Sequence, residues 1–197
     1  NSKWYIKNLD SIVNQTYKNW RIVYVDDSST DNTYNLVKKY IKNKKIENKF
    51  TLIRNKTNMK QSYSRYIAFK ECKDNEICCL LDGDDWLYDN NVLNKLNKIY
   101  NYNDCMVTYS DYIIFKNGKL DKKLIAKNYS NDIKNNSMYR NTEWLCSPLR
   151  TGYAKLFKNV SENELKDHNG NWLKCSTDMA IMYRVMEQSK GKIKVIN

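Results

Sequence analysis

The sequence predicts an α/β fold in which helices flank a mostly parallel central sheet. Short apolar runs that suit buried strands alternate along the chain with segments whose apolar residues recur at helical spacing. Acidic clusters come directly after two of the predicted strands. Ligands of such sheets bind beyond the carboxyl ends of the strands, so the fold class also indicates where a site lies.

Helices and strands are predicted in alternation over the first half of the chain. Tyr5 and Leu9 begin a helical repeat after Ser2, which is a good N-cap residue. Arg21–Val25 is a nearly continuous apolar run that suits a buried parallel strand. The elements that follow are a helix with Leu36, Val37, Tyr40 and Ile41, a strand at Phe50–Ile53, a helix with Tyr63, Tyr66 and Ile67, a strand at Ile77–Leu81, a helix from Val92 to Tyr100, and a strand at Met106–Phe115.

The second half of the chain has weaker periodicity. Gly118–Asn141 is polar and rich in asparagine, which predicts a long loop. Helices are predicted near Tyr153–Val160 and at Thr177–Gln188, and a last strand at Ile193–Ile196. We expect residues 1–197 to form one domain that is trimmed at both ends, because the chain opens directly on a helix and stops within a strand.

The chain is strongly basic, with 34 Lys and Arg residues against 22 Asp and Glu residues and a formal charge of +12. This charge predicts attraction to nucleotides, nucleic acid, acidic polymers or a membrane surface. A compositional bias towards Lys, Asn, Ile and Tyr is an alternative explanation for part of it. No apolar run in this sequence approaches the roughly 20 residues that span a bilayer, so only peripheral membrane contact is compatible with it.

Cysteine usage favours a reducing compartment. The six cysteines include no C-x-x-C pair, and His168 is the single histidine. The sequence therefore has no set of Cys and His residues with the spacing of zinc ligands. We therefore expect reduced, mostly buried thiols in a cytoplasmic protein, with membrane association on the cytosolic side as an open alternative.

Asp82-Gly83-Asp84-Asp85 places three carboxylates within four residues at the end of a predicted strand. Carboxylates held so closely repel one another unless a cation neutralises them. Mg²⁺ or Mn²⁺, bound by oxygen atoms and completed by substrate phosphates, meets that need, and Gly83 allows a sharp turn or a close approach to a ligand. A solvated acidic turn is the alternative, although Trp86 and Leu87 would anchor the segment on the core.

The second acidic cluster, Asp26–Asp31, follows the first predicted strand. A carboxylate in this position can accept a hydrogen bond from a ring N–H of a base, and Ser29 adds a hydroxyl group. Helix capping by Ser29 or its neighbour, with Asp31 near the positive end of the helix, explains the later residues. Capping does not explain Asp26 and Asp27.

Two further residues carry chemistry that their spacing alone does not settle. Arg65 lies on the predicted helix before the metal strand and could contact a diphosphate or a base, or be a surface arginine. Asp178 lies in the first turn of the last helix, where a carboxylate usually stabilises the helix dipole but could also be a general base.

Two stretches resemble family 2 glycosyltransferases of the GT-A fold. Residues 10–33, DSIVNQTYKNWRIVYVDDSSTDNT, closely resemble that family's opening pattern, S-h-x-x-Q followed by an apolar strand and V-D-D-g-S-x-D-x-T, where h is apolar. Residues 80–87, LLDGDDWL, are similar to its metal motif, and Arg65 lies about where the family has an Arg-Asn pair. The resemblance is strong over residues 4–100 and weaker over 101–197.

The resemblance implies a GT-A fold with a Rossmann-like nucleotide-binding half at 1–117 and an acceptor-binding half at 118–197. It implies a metal-dependent, inverting transfer of a sugar, expected to be a hexose, from a nucleotide-sugar to an acceptor hydroxyl. A UDP-sugar is the favoured donor, Mn²⁺ or Mg²⁺ is the expected cofactor through a DXD motif, and the acceptor would be a saccharide, a lipid-linked sugar or a protein.

The resemblance also implies a role for individual residues. Asp178 would be the catalytic base, and the acceptor site would be lined by Trp144, Arg150 and Thr151. Asp27 would bind the base of the donor with Asp26 and Ser29 in support, and Arg65 would contact the base or the diphosphate. Asp84 would be the chief metal ligand, and Asp82 would bind the ribose or the metal. Gly83 and Asp85 would lie beside them.

Three positions depart from the family pattern. Arg65-Tyr66 stands where the family has Arg-Asn, and Lys60-Gln61 replaces a turn that usually contains glycine. Thr177-Asp178 stands in place of Glu-Asp, so the assignment of the base depends on one residue.

Two other functional classes remain as alternatives. A nucleotidyltransferase or related enzyme on a similar fold would need a glycine-rich phosphate loop near its start, which this sequence lacks. A non-enzymatic basic module would bind nucleic acid or an acidic polymer, but the basic residues are spread along the chain, so we expect no nucleic acid partner.

Overall fold

The computed structural model describes residues 1–102 and 104–196 and has a mixed α/β architecture, as the sequence predicts. Short 3₁₀ turns lie at Glu47–Lys49, Tyr139–Asn141 and Asn163–Leu165. The helices and strands, in chain order, are α1 (Tyr5–Val13), β1 (Ile22–Asp26), α2 (Thr33–Lys44), β2 (Phe50–Arg54), α3 (Gln61–Lys70), β3 (Ile77–Leu80), α4 (Val92–Tyr102), β4 (Val107–Ser110), β5 (Tyr112–Lys116), β6 (Lys119–Leu124), α5 (Asn131–Asn135), β7 (Arg150–Tyr153), α6 (Ala154–Lys158), α7 (Thr177–Gln188) and β8 (Ile193–Ile196).

The chain divides into two compact units that interleave along the sequence. The first unit comprises Asn1–Glu71, Asp82–Asn103 and Lys166–Cys175. The second unit comprises Cys72–Leu81, Asp104–Leu165 and Ser176–Asn197. These units do not follow a single boundary at residue 117, so the division into nucleotide-binding and acceptor-binding halves stays a prediction about function.

The first unit is built on a parallel pair of strands, β1 and β2, in which Ile22 faces Phe50 and Asp26 faces Arg54. Helices α1 and α2 cover this pair, because their apolar residues recur at helical spacing and form one buried stripe on each helix. The buried cluster beneath them consists of Leu9, Ile22, Val37, Tyr40 and Ile41.

The second unit contains a four-stranded sheet with the order β3-β7-β4-β8. Strand β7 runs antiparallel to both of its neighbours, and β4 runs parallel to β8. Three of the four strands therefore share one direction. We did not predict β7, because its sequence, Arg-Thr-Gly-Tyr, has neither an apolar run nor an alternating pattern.

Two predictions for the middle of the chain are wrong. The strand predicted at Met106–Phe115 is two strands, β4 and β5, separated at Asp111. The long loop predicted at Gly118–Asn141 contains β6, α5 and a 3₁₀ turn. An Asn117-Gly118 turn with positive φ at both residues joins β5 to β6, and Asn-Gly is the usual signal for such a hairpin.

The predicted helix caps also need correction. The N-cap of α1 is Trp4 and not Ser2, whose backbone N–H donates to Asp31 at 3.1 Å. The N-cap of α2 is Asn32 and not Ser29 or Thr30. Asp31 still stabilises the start of α2, because its carboxylate accepts from the backbone N–H and hydroxyl of Thr33.

None of the helices within the described residues is both long and apolar enough to cross a membrane. The six cysteines form no disulfides within the described residues, but they are less uniformly buried than expected. Cys78, Cys105 and Cys146 are buried, Cys72 is half-buried, and Cys79 and Cys175 are exposed. The neighbours Cys78 and Cys79 differ in exposure because successive side chains of a strand point to opposite faces.

Candidate functional site

The Asp27 carboxylate holds the segment that leads into α3. It accepts hydrogen bonds from the backbone N–H groups of Met59 at 2.8 Å and Lys60 at 2.9 Å. A third bond comes from the Asn55 side-chain amide at 2.7 Å. A carboxylate offers about four acceptor positions, so little of its capacity is left for a base.

The backbone at Lys60 is strained. Its φ of 77° and ψ of 163° lie in a region that only glycine adopts readily. The Asp27 carboxylate draws the Lys60 N–H towards itself, and this bond helps to hold the residue in that conformation. This is the position at which the chain lacks the glycine-containing turn of the resembled family.

Asp26 is the buried member of the acidic pair, with only 2% of its surface exposed. One carboxylate oxygen, Oδ2, lies 3.3 Å from the Arg54 guanidinium and accepts from the Ser29 N–H. The other oxygen, Oδ1, has no hydrogen-bond partner among the residues that the structure describes. A buried oxygen without a donor is costly, so it indicates a partner supplied from outside these residues.

Asn8 holds the acidic turn Asp82–Asp85 from the side of α1. Its Nδ2 donates to the carbonyl oxygens of Asp82, at 3.0 Å, and of Asp85, at 2.7 Å. Only 4% of Asn8 is exposed, so these bonds are shielded from water. Further along the same face of α1, the Ser11 hydroxyl accepts from the Leu87 N–H, and the Gln15 side chain bonds to the backbone at Asp89 and Leu93.

The start of α3 joins the two acidic motifs. Asn55, bound to Asp27, also donates to the Ser64 hydroxyl at 3.2 Å. The next residue, Arg65, forms an ion pair with Asp82 at 2.8 Å, and only 10% of the arginine side chain is exposed. The motifs at Asp27 and Asp82 therefore lie on the same side of the first unit, as expected for residues that follow strands.

Gly83 lies close to other atoms of the first unit. A Cβ atom at this position would be 2.7 Å from the Asn1 amide and 3.7 Å from the Tyr24 hydroxyl. The φ of Gly83 is outside the left-handed region, so the backbone conformation does not require glycine, and the Asn1 amide that a Cβ atom would meet is the end of an exposed, flexible side chain. Burial, with the nearby charges of Asp26 and Asp31, raises the pKa of Tyr24 to about 12, so its hydroxyl stays protonated.

The Asp84 and Asp85 side chains are exposed. No three His, Cys, Asp or Glu side chains within residues 1–102 and 104–196 come close enough together to hold a metal ion by themselves. Mg²⁺ and Mn²⁺ do not need such a cluster, because they bind through one or two carboxylates and take the remaining ligands from water or phosphate. The exposed oxygens of this fixed turn fit that donor set.

Trp86 and Leu87 differ in how they anchor the acidic turn. Leu87 is buried, as predicted, whereas the half-buried Trp86 stacks on Trp4 with 5.8 Å between ring centroids. The Lys7 ammonium lies 3.7 Å above the Trp86 ring. Trp4, Lys7 and Trp86 are among the residues that line an open cavity of about 490 Å³ beside α1.

In the second unit, Asp178 forms an ion pair with Arg150, with 3.1 Å between Oδ2 and Nη1. The Arg150 guanidinium lies 5.9 Å from the centroid of the Trp144 ring, which packs edge-on against Tyr183. Three of the predicted residues, Asp178, Arg150 and Trp144, are thus in one cluster.

Thr151 is not part of the Asp178 cluster. It is fully buried in strand β7, and its hydroxyl shares a 2.6 Å hydrogen bond with Thr108 of β4. This position places Thr151 in the packing of the sheet, and its contact with an acceptor stays a prediction.

Sequence reasoning missed the residues that position the acidic motifs. Asn8 and Asn55 are common polar residues in a chain rich in asparagine, and neither belongs to a chemical motif. One signal was available for α1: Asn8, Ser11 and Gln15 recur at helical spacing next to the apolar positions. Polar residues on the inner face of a helix indicate buried hydrogen bonds.

An α/β fold with acidic motifs after its strands is compatible with the GT-A glycosyltransferases that the sequence resembles. The model of the family "Glycosyl transferase family 2" matches residues 3–163. The chain therefore belongs to glycosyltransferase family 2.

Named relatives in bacteria match parts of the chain. The putative glycosyltransferase EpsE of Bacillus subtilis is 38% identical over 58 residues, which are 29% of this chain and 20% of that protein. WfaP of Escherichia coli, a UDP-Glc:alpha-D-GlcNAc-diphosphoundecaprenol beta-1,3-glucosyltransferase, is 32% identical over 108 residues, 55% of this chain and 40% of that protein. The chain thus spans well under half the length of these relatives.

Solved structures share the fold. Residues 1–349 of S. aureus TarS align with a TM-score of 0.64 at 19% identity, covering 98% of this chain and 54% of that chain. A complex of the same protein with UDP aligns with a TM-score of 0.60 at 20% identity, covering 92% and 52%. These alignments confirm the expected GT-A fold.

We predict that Asn8→Ala destabilises the first unit by about 1–3 kcal/mol, because two backbone carbonyl oxygens lose their buried side-chain donor. Urea unfolding followed by fluorescence measures the change. Asn14→Ala, at the exposed C-cap of the same helix, is the control and should change stability by less than about 0.5 kcal/mol. Equal effects of the two variants would contradict the proposed role of Asn8.

We predict that Lys60→Gly stabilises the protein by about 1 kcal/mol, because relief of backbone strain exceeds the entropic cost of a glycine. Thermal unfolding measures the change. The matched control is Lys56→Gly in the same segment, where φ is not positive and glycine should cost about 0.5–1 kcal/mol. A loss of stability in Lys60→Gly as large as in the control would show that the strain is absent.

Proposed function

We propose that this chain is the catalytic domain of a metal-dependent, inverting glycosyltransferase that moves a hexosyl group from a UDP-sugar to an acceptor hydroxyl. One observation carries the proposal: the start of α3 joins the Asp27 and Asp82 motifs, and beside them Asp26 keeps a buried oxygen without a partner. A nucleotide bound at this place would donate hydrogen bonds from its N–H and hydroxyl groups to the acidic residues. Its phosphates would bind a cation held at the acidic turn.

The donor's nucleoside would bind at the Asp26–Asp27 motif. The unpartnered Asp26 oxygen is the best acceptor there for an N–H or hydroxyl of the nucleoside, because three bonds already occupy Asp27. Asp27 would act through the segment that it holds, with Ser29 beside Asp26. UDP is favoured as the nucleotide because WfaP is named for UDP-Glc and TarS forms a complex with UDP.

The diphosphate and its cation would bind at the acidic turn. Asp84, with its exposed carboxylate, would be the chief ligand of Mn²⁺ or Mg²⁺, and Asp82 and Asp85 would support it. When bound, the cation supplies positive charge that stabilises the departing diphosphate. Arg65 would orient Asp82 through their ion pair, and this role differs from the direct contact with base or diphosphate that the sequence suggested.

Asp178 would be the general base. Its carboxylate would take the proton of the acceptor hydroxyl while the hydroxyl oxygen forms a bond to the anomeric carbon. The bond from that carbon to the diphosphate breaks on the opposite face, and the nucleoside diphosphate leaves with the electron pair. A single displacement of this kind inverts the anomeric configuration.

Arg150 and Trp144 would contribute to the acceptor site around Asp178. The guanidinium holds the Asp178 carboxylate by a 3.1 Å contact and can give a hydrogen bond to an acceptor oxygen, while the Trp144 ring offers a stacking surface for a sugar. A saccharide or a lipid-linked saccharide fits this chemistry, and WfaP is named for an acceptor of the second kind.

We predict that Asp84→Ala removes the Mn²⁺-dependent part of UDP affinity, weakening binding by at least about tenfold, since a principal metal ligand is lost. Calorimetric titration of UDP with and without Mn²⁺ measures this. Asp121→Ala, which removes an exposed carboxylate elsewhere, is the control. Unchanged UDP affinity of Asp84→Ala in Mn²⁺ would refute the metal role of Asp84.

We predict that Asp178→Asn lowers sugar transfer at least about a hundredfold while UDP binding stays intact, because an amide cannot take the proton. The assay is metal-dependent transfer from UDP-sugars, with UDP affinity measured in parallel. Asp132→Asn, at another first-turn aspartate of a helix, controls for loss of a helix-dipole interaction. Transfer at the level of the unmodified chain would reject Asp178 as the base.

A further inference from the structure

The hairpin of β5 and β6, together with residues 125–127, forms a surface that the proposed glycosyl transfer does not use. We call it the basic hairpin. Its register places Phe115 opposite Leu120 and Tyr112 opposite Leu124, with an irregularity between the two pairs, so each pair brings two apolar side chains together. Within residues 1–102 and 104–196, the two strands of the hairpin pair only with each other.

The basic hairpin concentrates positive charge. Between residues 112 and 127 it has five lysines and a single acidic residue, Asp121. Lys123 is paired with Asp111 at 2.8 Å. The other lysines are exposed: Lys116, Lys119, Lys122 and Lys127.

Exposed apolar side chains lie between these lysines. Leu120, one residue beyond the Lys119 end of the turn, is 58% exposed, and Ile125 is 71% exposed. Ile114, at the irregularity in the β5–β6 register, is 37% exposed. Burial of such side chains against an apolar partner lowers the free energy, whereas their exposure to water does not.

We propose that the basic hairpin binds the surface of an anionic lipid bilayer. The lysines would lie among the lipid headgroups, where the negative surface potential of the bilayer attracts basic residues. Leu120 and Ile125 would enter the boundary between headgroups and acyl chains, which is how amphipathic surface elements bind membranes. The sequence predicted peripheral membrane contact, and this proposal names the surface that would make it.

Lipid explains the combination of side chains better than other anionic partners do. Nucleic acid would neutralise the lysines but leave Leu120 and Ile125 in water, and the hairpin shows no exposed aromatic ring on which bases could stack. Protein interfaces are depleted of lysine, so a protein partner fits this surface less well. The inference does not depend on the proposed function, because it uses only the charge and exposure of the hairpin.

Vesicle flotation of the full 197-residue chain tests the proposal. We expect binding to vesicles that contain about one third phosphatidylglycerol, little binding to pure phosphatidylcholine, and a decline as salt screens the charges. The variant Lys116→Glu/Lys119→Glu/Lys122→Glu should bind the anionic vesicles at least about a hundredfold more weakly. Leu120→Ser, which leaves the charge unchanged, should weaken binding by about tenfold.

The matched control is Lys38→Glu/Lys39→Glu/Lys42→Glu, which makes the same change of net charge at exposed positions of α2. This control should keep most of the binding. An equal loss in the two triple variants would overturn the proposal, since net charge alone would then explain the attraction. Circular dichroism and thermal melting check that each variant is folded. If the hairpin triple variant is unfolded, the binding of Leu120→Ser to the anionic vesicles tests the proposal instead.

Two other results would also overturn the proposal. One is failure of the unmodified chain to bind the anionic vesicles at low salt. The other is tighter binding to duplex DNA than to vesicles, with the hairpin triple variant losing the DNA binding, because the surface would then recognise a polyanion and not a bilayer.

Discussion

The ion pair between Arg65 and Asp82 is the interaction on which the candidate donor site depends. Arg65 is nearly buried, so its charge needs a carboxylate partner, and Asp82 is the one at 2.8 Å. Its neighbour Ser64 accepts a hydrogen bond from Asn55, which in turn binds Asp27. Two consecutive residues of one helix therefore connect acidic motifs that lie 55 residues apart in the chain.

Buried polar groups outside the motifs determine how rigid this site is. Asn8 fixes both ends of the acidic turn, and a turn held in this way can present exposed carboxylates without losing its shape. On the other side, Asp27 holds Lys60 in a conformation that costs free energy. Strain of this kind persists only where surrounding bonds over-determine the backbone, and it often accompanies ligand-binding segments.

The same physics separates the two kinds of surface in this protein. In the first unit, acidic groups lie against neutralising partners, and we propose that they bind a cation and a nucleotide. On the basic hairpin, lysines lie near the exposed apolar side chains of Leu120 and Ile125. A transferase that acts on lipid-linked acceptors would use both properties, one for chemistry and one for location.

The sequence by itself determined the α/β class, most helices and strands, and the acidic motifs, because apolar periodicity and strand-end carboxylates are local signals. It could not reveal β7, whose place between β3 and β4 comes from pairing with distant strands. Nor could it show that Asp27 binds its own chain, that Thr151 is buried, or that Asn8 holds the acidic turn. Those outcomes were decided by tertiary structure, because hydrogen-bond partners and burial depend on residues far apart in the chain.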